Sequence, residues 1–208
     1  ADSVDPATGI GTARAYFGYS IPILNSSFVP GTAAPTTKTE GFDDDNPGVV
    51  FSGQFFTASA IRAVHNIVPA GDFRIDPPDT QQTARYIRVV PKRTTDFFQF
   101  ESWNDPTNPT FRQLGIAGEF TVAPDGVSDN TGLDTDRTRV DLLANNVVVG
   151  SFTGAALRAA IVANTGNPAL GTGTFRFTLA TGFDTMRVVL TGDYQGNPAL
   201  RVDNVSFT

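Results

Sequence analysis

The chain has 208 residues, of which 40% are hydrophobic, and this length suits one large all-β domain that buries its own core. Its formal net charge is −6 and its only lysines are Lys38 and Lys92, so the basic surface that nucleic acid binding requires is missing. The sequence contains no cysteine, which excludes thiol catalysis and thiolate metal sites, and no apolar run approaches the roughly 18 residues of a membrane span.

Residues 1–38 differ in composition from the rest of the chain, being rich in Ala, Thr, Gly, Pro and Ser. Their one apolar stretch, 15–24, contains Pro22, which cannot donate to a β-ladder. We therefore expect an extended N-terminal arm or an edge strand. The start at Ala1-Asp2-Ser3 is typical of signal-peptide cleavage, or of a chain cut at that point, and we favour a secreted protein of the cell surface or matrix.

From Thr39 onward, short apolar or alternating stretches are separated by turn residues, which predicts a series of β-strands. The predicted strands are 49–51, 53–56, 86–90, the stretch containing Phe98 and Phe100, 118–122, 139–144, 147–152, 174–179, 185–190 and 200–207.

Two local features interrupt or connect these strands. Asn145 and Asn146 lie between two strongly apolar runs and predict a tight hairpin, since Asn tolerates a positive φ. The stretch 154–163 predicts one short helix, ended by the turn residues 164–166. Regular strand spacing with so little helix predicts an all-β sandwich or barrel.

Two segments that bracket residues 39–208 resemble a known family. Residues 39–43 and 200–207 are similar to the first and last strands of jelly-roll carbohydrate-binding modules, which are galactose-binding-like β-sandwiches. Exported bacterial surface proteins of the PEP-CTERM type carry similar domains. The resemblance implies an antiparallel jelly-roll β-sandwich over 39–208. No hydrophobic sorting tail or basic end follows Phe207, so we do not expect membrane sorting by that route.

The resemblance also implies a calcium site. In that family, acidic groups near the first strand and an Asp of the last strand often hold a structural Ca²⁺, and the matching positions are Glu40, Asp43 and Asp203. Hard carboxylate oxygens suit this ion. Two acidic clusters, 43–46 and 125–136, are further candidates, with solvated turns as the alternative interpretation.

Sugar binding needs aromatic rings beside amides or carboxylates that can bond hydroxyl groups. Trp103 lies in the polar stretch 101–106 and Tyr194 lies in the turn 193–198, so both are candidate carbohydrate-binding residues. The alternative for a single Trp in a sandwich is a place in or beside the core.

Catalysis has little support in the sequence. His65 is the only histidine, so every Ser-His-Asp or Cys-His arrangement would depend on it. A glycosidase could use two carboxylates, and Glu101 and Glu119 are the nominees, but nothing in their spacing distinguishes them. We expect a protein that is not an enzyme.

Two functions remain. The first is an extracellular structural subunit that assembles into a homopolymer, a filament or a surface array, by docking its arm on a neighbouring sandwich. The inserted anchors of the arm would be Tyr16, Phe17, Tyr19, Ile21, Ile23 and Leu24. The alternative is a secreted, calcium-supported carbohydrate-binding module whose partner is a glycan or extracellular polysaccharide.

Overall fold

The computed structural model describes residues 3–4, 11–12, 37–56, 58–80, 82–124, 132–163, 171–192 and 199–208. The chain divides into two units, Ala1–Pro35 and Thr36–Thr208. Within the first unit, β1 (Ser3–Val4) pairs antiparallel with β2 (Gly11–Thr12). The arm anchors predicted between residues 16 and 24, and the sugar-binding candidate Tyr194, lie outside the described residues.

The second unit is almost entirely β-structure. Its elements are β3 (Lys38–Glu40), β4 (Gly48–Val49), β5 (Gln54–Phe55), β6 (Ile61–His65), β7 (Phe73–Asp76), β8 (Tyr86–Val89), β9 (Phe97–Ser102), β10 (Gly115–Pro124), β11 (Thr138–Ala144), β12 (Val147–Thr153), α1 (Gly154–Ala159), β13 (Ile161–Ala163), β14 (Gly173–Phe183), β15 (Thr185–Leu190) and β16 (Leu200–Phe207). Among the described residues, no helix is long and apolar enough to cross a membrane.

These strands form two antiparallel sheets. The six-stranded sheet has the order β12-β11-β15-β9-β6-β5. The eight-stranded sheet has the order β13-β14-β10-β16-β8-β7-β4, with β3 paired to β16. The chain crosses repeatedly from one sheet to the other, for example from β9 to β10 and from β10 to β11. The predicted class, an antiparallel jelly-roll β-sandwich with one short helix, is confirmed.

Phenylalanine fills much of the space between the two sheets. Phe98 and Phe100 of the six-stranded sheet and Phe120 and Phe175 of the eight-stranded sheet are buried in one continuous cluster. Phe120 and Phe175 stack with ring centroids 5.5 Å apart. Burial of each such ring contributes about 1.5–3 kcal/mol, so this core accounts for the fold without disulfides.

The hairpin prediction is confirmed, whereas the predicted end of the helix is wrong. Asn145 and Asn146 have φ of 50° and 70°, as a tight turn between β11 and β12 requires. The helix α1 ends at Ala159 rather than at residue 163. The residues Ile161–Ala163 instead form β13, which pairs with β14, because β-branched side chains and an available strand edge favour a ladder over a further helical turn.

Gly171 generates a test of the packing around the start of β14. It has a φ of +63°, and a Cβ atom there would lie 1.7 Å from the carbonyl oxygen of Leu133. We expect Gly171→Ala to lower the free energy of unfolding by about 3 kcal/mol or more, through backbone strain and a steric clash together. Urea denaturation measures the change.

The matched control is Gly53→Ala. Gly53 has a φ of +92°, but no heavy atom lies within 4 Å of the position of its Cβ. This variant carries the conformational penalty alone, about 1 kcal/mol. Equal losses in the two variants would contradict the close approach of Gly171 to Leu133.

Candidate functional site

The solvent-facing side of the six-stranded sheet carries an unusual set of charged side chains. Side chains alternate along a strand, and Phe98 and Phe100 of β9 face the core, so Gln99 and Glu101 face outward. The same alternation applies to β6, β11 and β15. We call this surface the polar face and define it by Arg62, Phe97, Gln99, Glu101, Trp103, Arg139, Asp141 and Arg187.

Strand register aligns these side chains in rows across the sheet. In one row, directly opposed residues run from Ser151 of β12 through Asp141, Arg187 and Gln99 to Val64 of β6. In the next row, Thr185, Glu101, Arg62 and Phe55 follow one another in the same way. Opposed residues on one face have Cβ atoms about 4.5–5.5 Å apart, so polar groups from five or more strands meet on one surface.

Glu101 is the central acceptor of the polar face. Arg62 donates from Nε and Nη2 to its Oε2 at 2.7 and 2.6 Å. Arg112 donates from Nη2 to Oε1 at 2.8 Å, and Gln99 donates from Nε2 to the same oxygen at 2.6 Å. Trp103 adds its indole N–H to Oε2 at 3.1 Å. Glu101 is only 1% exposed, and these donors satisfy both of its oxygens.

Two aromatic rings of the polar face each lie against an arginine. The Arg62 guanidinium lies 4.4 Å from the centroid of the half-buried Trp103 ring, and Phe55 meets the same ring edge-on at 5.8 Å. The Arg187 guanidinium lies 5.4 Å from the centroid of the Phe97 ring. Cation–π contacts of this kind fix both partners. The predicted sugar-binding residue Trp103 is therefore packed against Arg62 and Phe55 and is not an isolated exposed ring.

The remaining members of the polar face form a second group on β11 and β12. Asp141 accepts bonds from Arg139 Nε, at 2.9 Å to each carboxylate oxygen, and from the Ser151 hydroxyl at 2.5 Å. Arg187 of β15 lies directly opposite Asp141, but it donates to Gln99 Oε1 at 2.5 Å on the other side. Arg187 thus belongs to the Glu101 group through Gln99.

The segment that follows β9 closes one end of the polar face. Arg112 reaches from this segment to Asn146 Oδ1 in the β11–β12 turn, at 2.6 Å, and approaches the buried Asp184 to 3.6 Å. Asp184 in turn accepts the backbone N–H of Asn145 at 2.7 Å. The hairpin turn, the loop and Glu101 are therefore connected through one guanidinium.

Two of the predicted calcium ligands lie near each other. The pKa of Asp203 is raised to about 6, chiefly by burial and to a smaller extent by the charge of Asp43, while bonds from the Asn204 N–H and Gln82 oppose the rise. Asp43 itself accepts the backbone N–H of Arg85 at 2.9 Å. The guanidinium of Arg85 also donates to the carbonyl oxygen of Asp43 at 2.6 Å, so a cationic side chain already stands in this loop.

Glu40, the third predicted ligand, has other partners. It accepts the backbone N–H of Phe42 at 2.7 Å and the hydroxyl of Ser59 at 2.6 Å. Burial raises its pKa, and these two bonds oppose the rise. The described residues contain no group of three or more His, Asp or Glu side chains placed to hold a metal ion. Calcium binding stays a prediction.

The residues nominated for catalysis do not meet. His65 stacks on Phe73 at 4.3 Å, its Nδ1 accepts the Ile67 N–H, and its Nε2 lies 2.9 Å from the Val50 carbonyl, which fixes a structural role. Burial lowers its pKa. Glu119 pairs with Arg176 on the outer side of the eight-stranded sheet, the side of the sandwich opposite Glu101. The two carboxylates cannot act on one bond.

A second candidate surface lies on the eight-stranded sheet. A cavity of about 270 Å³ is lined by Thr37, Thr39, Ala117, Gly118, Glu119, Arg176, Ser206 and Thr208. It offers hydroxyl groups and one ion pair, but its lining includes no aromatic ring on which a sugar could stack. The polar face combines both kinds of contact and is the stronger candidate site.

Most of the polar face was not predicted from the sequence. Trp103 was predicted as a sugar-binding candidate, but Arg62, Gln99, Arg187 and Asp141 were not. Each of these stands between two core residues of a strand, so alternation could have assigned it to an outer surface. Alternation does not tell which strands share a sheet, and only the long-range pairing brings these four side chains together.

The chain matches no family model and no curated protein. Among solved structures it is similar to the K1 cleaved adhesin domain of Lys-gingipain from Porphyromonas gingivalis W83, with a TM-score of 0.42 and 10% identity over 83% of this chain and 98% of that one. It is also similar to a family 29 carbohydrate-binding module from Piromyces equi, with a TM-score of 0.37 and 11% identity over 78% and 89%. Both TM-scores are below 0.5, and we draw nothing about a ligand from these likenesses.

The Glu101 cluster generates a stability prediction. Glu101→Gln removes the buried negative charge and leaves Arg62 and Arg112 directed at a neutral amide. Breaking a buried ion pair in this way costs about 3 kcal/mol or more. We expect a loss of that size in the free energy of unfolding, measured by urea denaturation at pH 7.

The control is Glu119→Gln on the other sheet, where the partner Arg176 is exposed to solvent. Exposed pairs contribute about 1 kcal/mol or less. A Glu101→Gln variant as stable as Glu119→Gln would show that Glu101 does not hold the two arginines as described.

Asp203 generates a pH prediction. Its pKa of about 6 in the folded chain lies above the ordinary value of 3.8 for an exposed Asp, so the folded state binds its proton more tightly. The stabilisation from this proton is present below about pH 4 and is lost as the pH rises through about 6. The Asp203→Asn variant should lack this loss, so its stability relative to the original chain should rise between pH 4 and pH 7. A constant difference across that range in thermal unfolding would contradict the raised pKa.

Proposed function

We propose that this chain is a non-catalytic, secreted carbohydrate-binding domain that binds a glycan across the polar face. The observation that carries the proposal is the cluster around the buried Glu101, which holds Arg62, Arg112, Gln99 and Trp103 in one arrangement on the solvent side of a sheet. Sugars offer hydroxyl groups and apolar C–H faces. Guanidinium groups can donate hydrogen bonds to the hydroxyl groups, and aromatic rings held beside them can pack against the C–H faces.

Stability alone gives little reason for such a cluster. Taking charges out of water costs several kcal/mol per ion, and well-packed apolar residues of similar volume are often as stabilising as a buried ion pair. Large apolar side chains on the outside of the sheet would, however, form an exposed apolar surface that favours non-specific association. A pre-organised array of donors fits a binding role, because side chains already fixed lose little entropy when a ligand arrives.

The dimensions of the polar face suit an oligosaccharide. Along β9, Phe97 and Glu101 are four residues apart, which corresponds to about 13 Å of extended strand. Across the sheet, the polar row from Ser151 to Gln99 spans four neighbouring strands, or about 14 Å. A surface of this size contacts several sugar units at once, whereas a monosaccharide would use only a small part of it.

The chemistry of the polar face supports binding without turnover. Hydrolysis of a glycosidic bond requires two carboxyl groups on either side of one bond, one of them able to donate a proton. Both oxygens of Glu101 accept bonds from guanidinium groups and from other donors of the chain. Asp141 accepts bonds from Arg139 and Ser151. Both carboxyl groups are buried beneath these donors, so neither is presented to a glycosidic bond at the surface.

Glycan binding can be followed through Trp103, which is the only tryptophan of the chain. We expect a set of soluble polysaccharides to include at least one that changes the intrinsic fluorescence and binds in isothermal titration calorimetry. Arg62→Ala, which removes both the guanidinium over Trp103 and two bonds to Glu101, should weaken that binding about tenfold or more.

Arg74→Ala is the matched control for this experiment. Arg74 is a half-exposed arginine in an ion pair with Asp76 on the eight-stranded sheet, far from the polar face in the fold. It should bind the same polysaccharide with unchanged affinity. Equal weakening in both variants, or no binding to any polysaccharide by the original chain, would overturn the proposed site.

Self-assembly is a second candidate function, and one observation favours it. Strand β12 lies at the edge of the six-stranded sheet, and β11 is its only strand partner in the described part of the chain. Its sequence from Val147 to Thr153 contains no charge and no proline, and Val147, Val148 and Val149 are exposed. Edge strands are usually protected by charge, proline or short length. We propose β12 as the edge to which the arm of a neighbouring copy adds a strand.

The assembly hypothesis is tested by light scattering of the full chain over a range of concentrations. Val148→Lys places a charge on the edge of β12 and should abolish any concentration-dependent growth in mass. Val162→Lys changes an equally exposed valine on β13, at the edge of the other sheet, and should leave assembly intact. A full chain that stays monomeric at all concentrations would rule out this function.

A further inference from the structure

The polar face has its charges arranged in two layers. The carboxylates lie beneath, with Glu101 1% and Asp141 4% exposed. The arginines that bond them lie above, and the side chains of Arg62 and Arg139 are 24% and 41% exposed. Each carboxylate is therefore covered by a guanidinium group on its solvent side. A ligand that approaches the polar face meets positive charge first.

The positive charge at the surface of the polar face is opposite in sign to the net charge of the chain. The formal net charge is −6, so an anionic ligand is repelled by the molecule as a whole and attracted only where cations are concentrated. The polar face and its closing loop contribute Arg62, Arg112, Arg139 and Arg187. Within the part of the chain that the structure describes, the carboxylates that pair with them are the three buried ones, Glu101, Asp141 and Asp184.

Arg187 is the cation in excess. Its one side-chain hydrogen bond within the described residues goes from Nε to the neutral amide oxygen of Gln99, and no carboxylate there lies within ion-pair distance of the guanidinium. The N–H groups of Nη1 and Nη2 are available to donate to a ligand. Its half-buried side chain is held in place by the bond to Gln99 and by the contact with the Phe97 ring. The guanidinium is fixed and charged, and its ion-pairing capacity is unused.

We propose that the polar face selects acidic glycans, and that Arg187 binds the carboxylate of a uronic acid residue. This inference rests on the proposed carbohydrate-binding function and narrows its ligand class. A guanidinium offers paired N–H donors in the planar geometry that a carboxylate matches, and charge-assisted bonds of this kind are about twice as strong as neutral ones.

The neighbours of Arg187 suit the rest of a uronic acid residue. Phe97 provides an apolar ring next to the guanidinium, on which the C–H face of the sugar can lie. Arg139 is paired with Val189, which lies two residues along β15 from Arg187. Its partly exposed guanidinium can bond a carboxylate of the following sugar. A polymer of uronic acids would thus contact several cations of the polar face in succession.

The test compares two polymers that share a sugar backbone and differ in whether the carboxyl groups are esterified. Polygalacturonate carries a free carboxylate on each sugar, and its highly methyl-esterified form carries a neutral ester at the same position. We expect polygalacturonate to bind at least about tenfold more tightly in isothermal titration calorimetry, with an affinity that falls as salt is raised. The same titration is repeated with Arg187→Gln, which keeps a polar side chain and removes the charge, and with Arg187→Lys, which keeps the charge and removes the fork.

Arg187→Gln should lose at least about tenfold in affinity for polygalacturonate and little for the esterified polymer, with Arg187→Lys in between. Arg176→Gln, on the outer side of the other sheet, is the control and should bind as the original chain does. Unchanged near-ultraviolet circular dichroism shows that each variant keeps its packing.

The possible failures are distinguishable. Equal affinity for the charged and the esterified polymer would overturn the selection for acidic glycans and leave the carbohydrate-binding function standing. Selective binding that Arg187→Gln leaves unchanged would overturn the role of Arg187. Absence of binding to both polymers, together with absence of binding to a panel of neutral polysaccharides, would overturn the proposed function itself.

Discussion

A buried carboxylate on the outside of a sheet must keep its cationic partners, and much of the candidate site follows from that constraint. Glu101 is almost completely removed from water, so the loss of its donors would leave an uncompensated charge. Arg62 and Arg112 are therefore held in place, and with them the Trp103 ring and the turn at Asn146. Glu101 thus helps to fix the strands and loops that carry its donors.

The sandwich makes this arrangement possible. Phenylalanine and aliphatic side chains between the two sheets supply the stabilisation, which frees the outer side of the strands from contributing to the core. The β9 register then places Glu101 between Arg62 of β6 and Thr185 of β15, while Gln99 lies between Val64 and Arg187. The neighbouring strands β11, β15, β9 and β6 are distant from one another in sequence, so one continuous polar surface is built from several separate parts of the chain.

The sequence predicts local structure here better than it predicts the site. The bounds of β15 and β16 and the turn at Asn145 follow from alternation and turn chemistry, which act over a few residues. The helix end was wrong because strand pairing of Ile161–Ala163 is a long-range contact. Trp103 was predicted from its polar neighbours, but Arg187 depends on β15 lying beside β9. Calcium at Glu40, Asp43 and Asp203, sugar binding by Tyr194 and the arm anchors stay predictions.

We propose that a glycan binds on the polar face of the six-stranded sheet and not on the outer side of the eight-stranded sheet. Nuclear magnetic resonance of the arginine Nε–H and tryptophan indole N–H groups during titration with an oligosaccharide tests this proposal most directly. We expect shifts at Arg62, Arg187 and the Trp103 indole, with the Nε–H of Arg176 on the other sheet unchanged. Shifts confined to Arg176, or spread equally over both sheets, would contradict it.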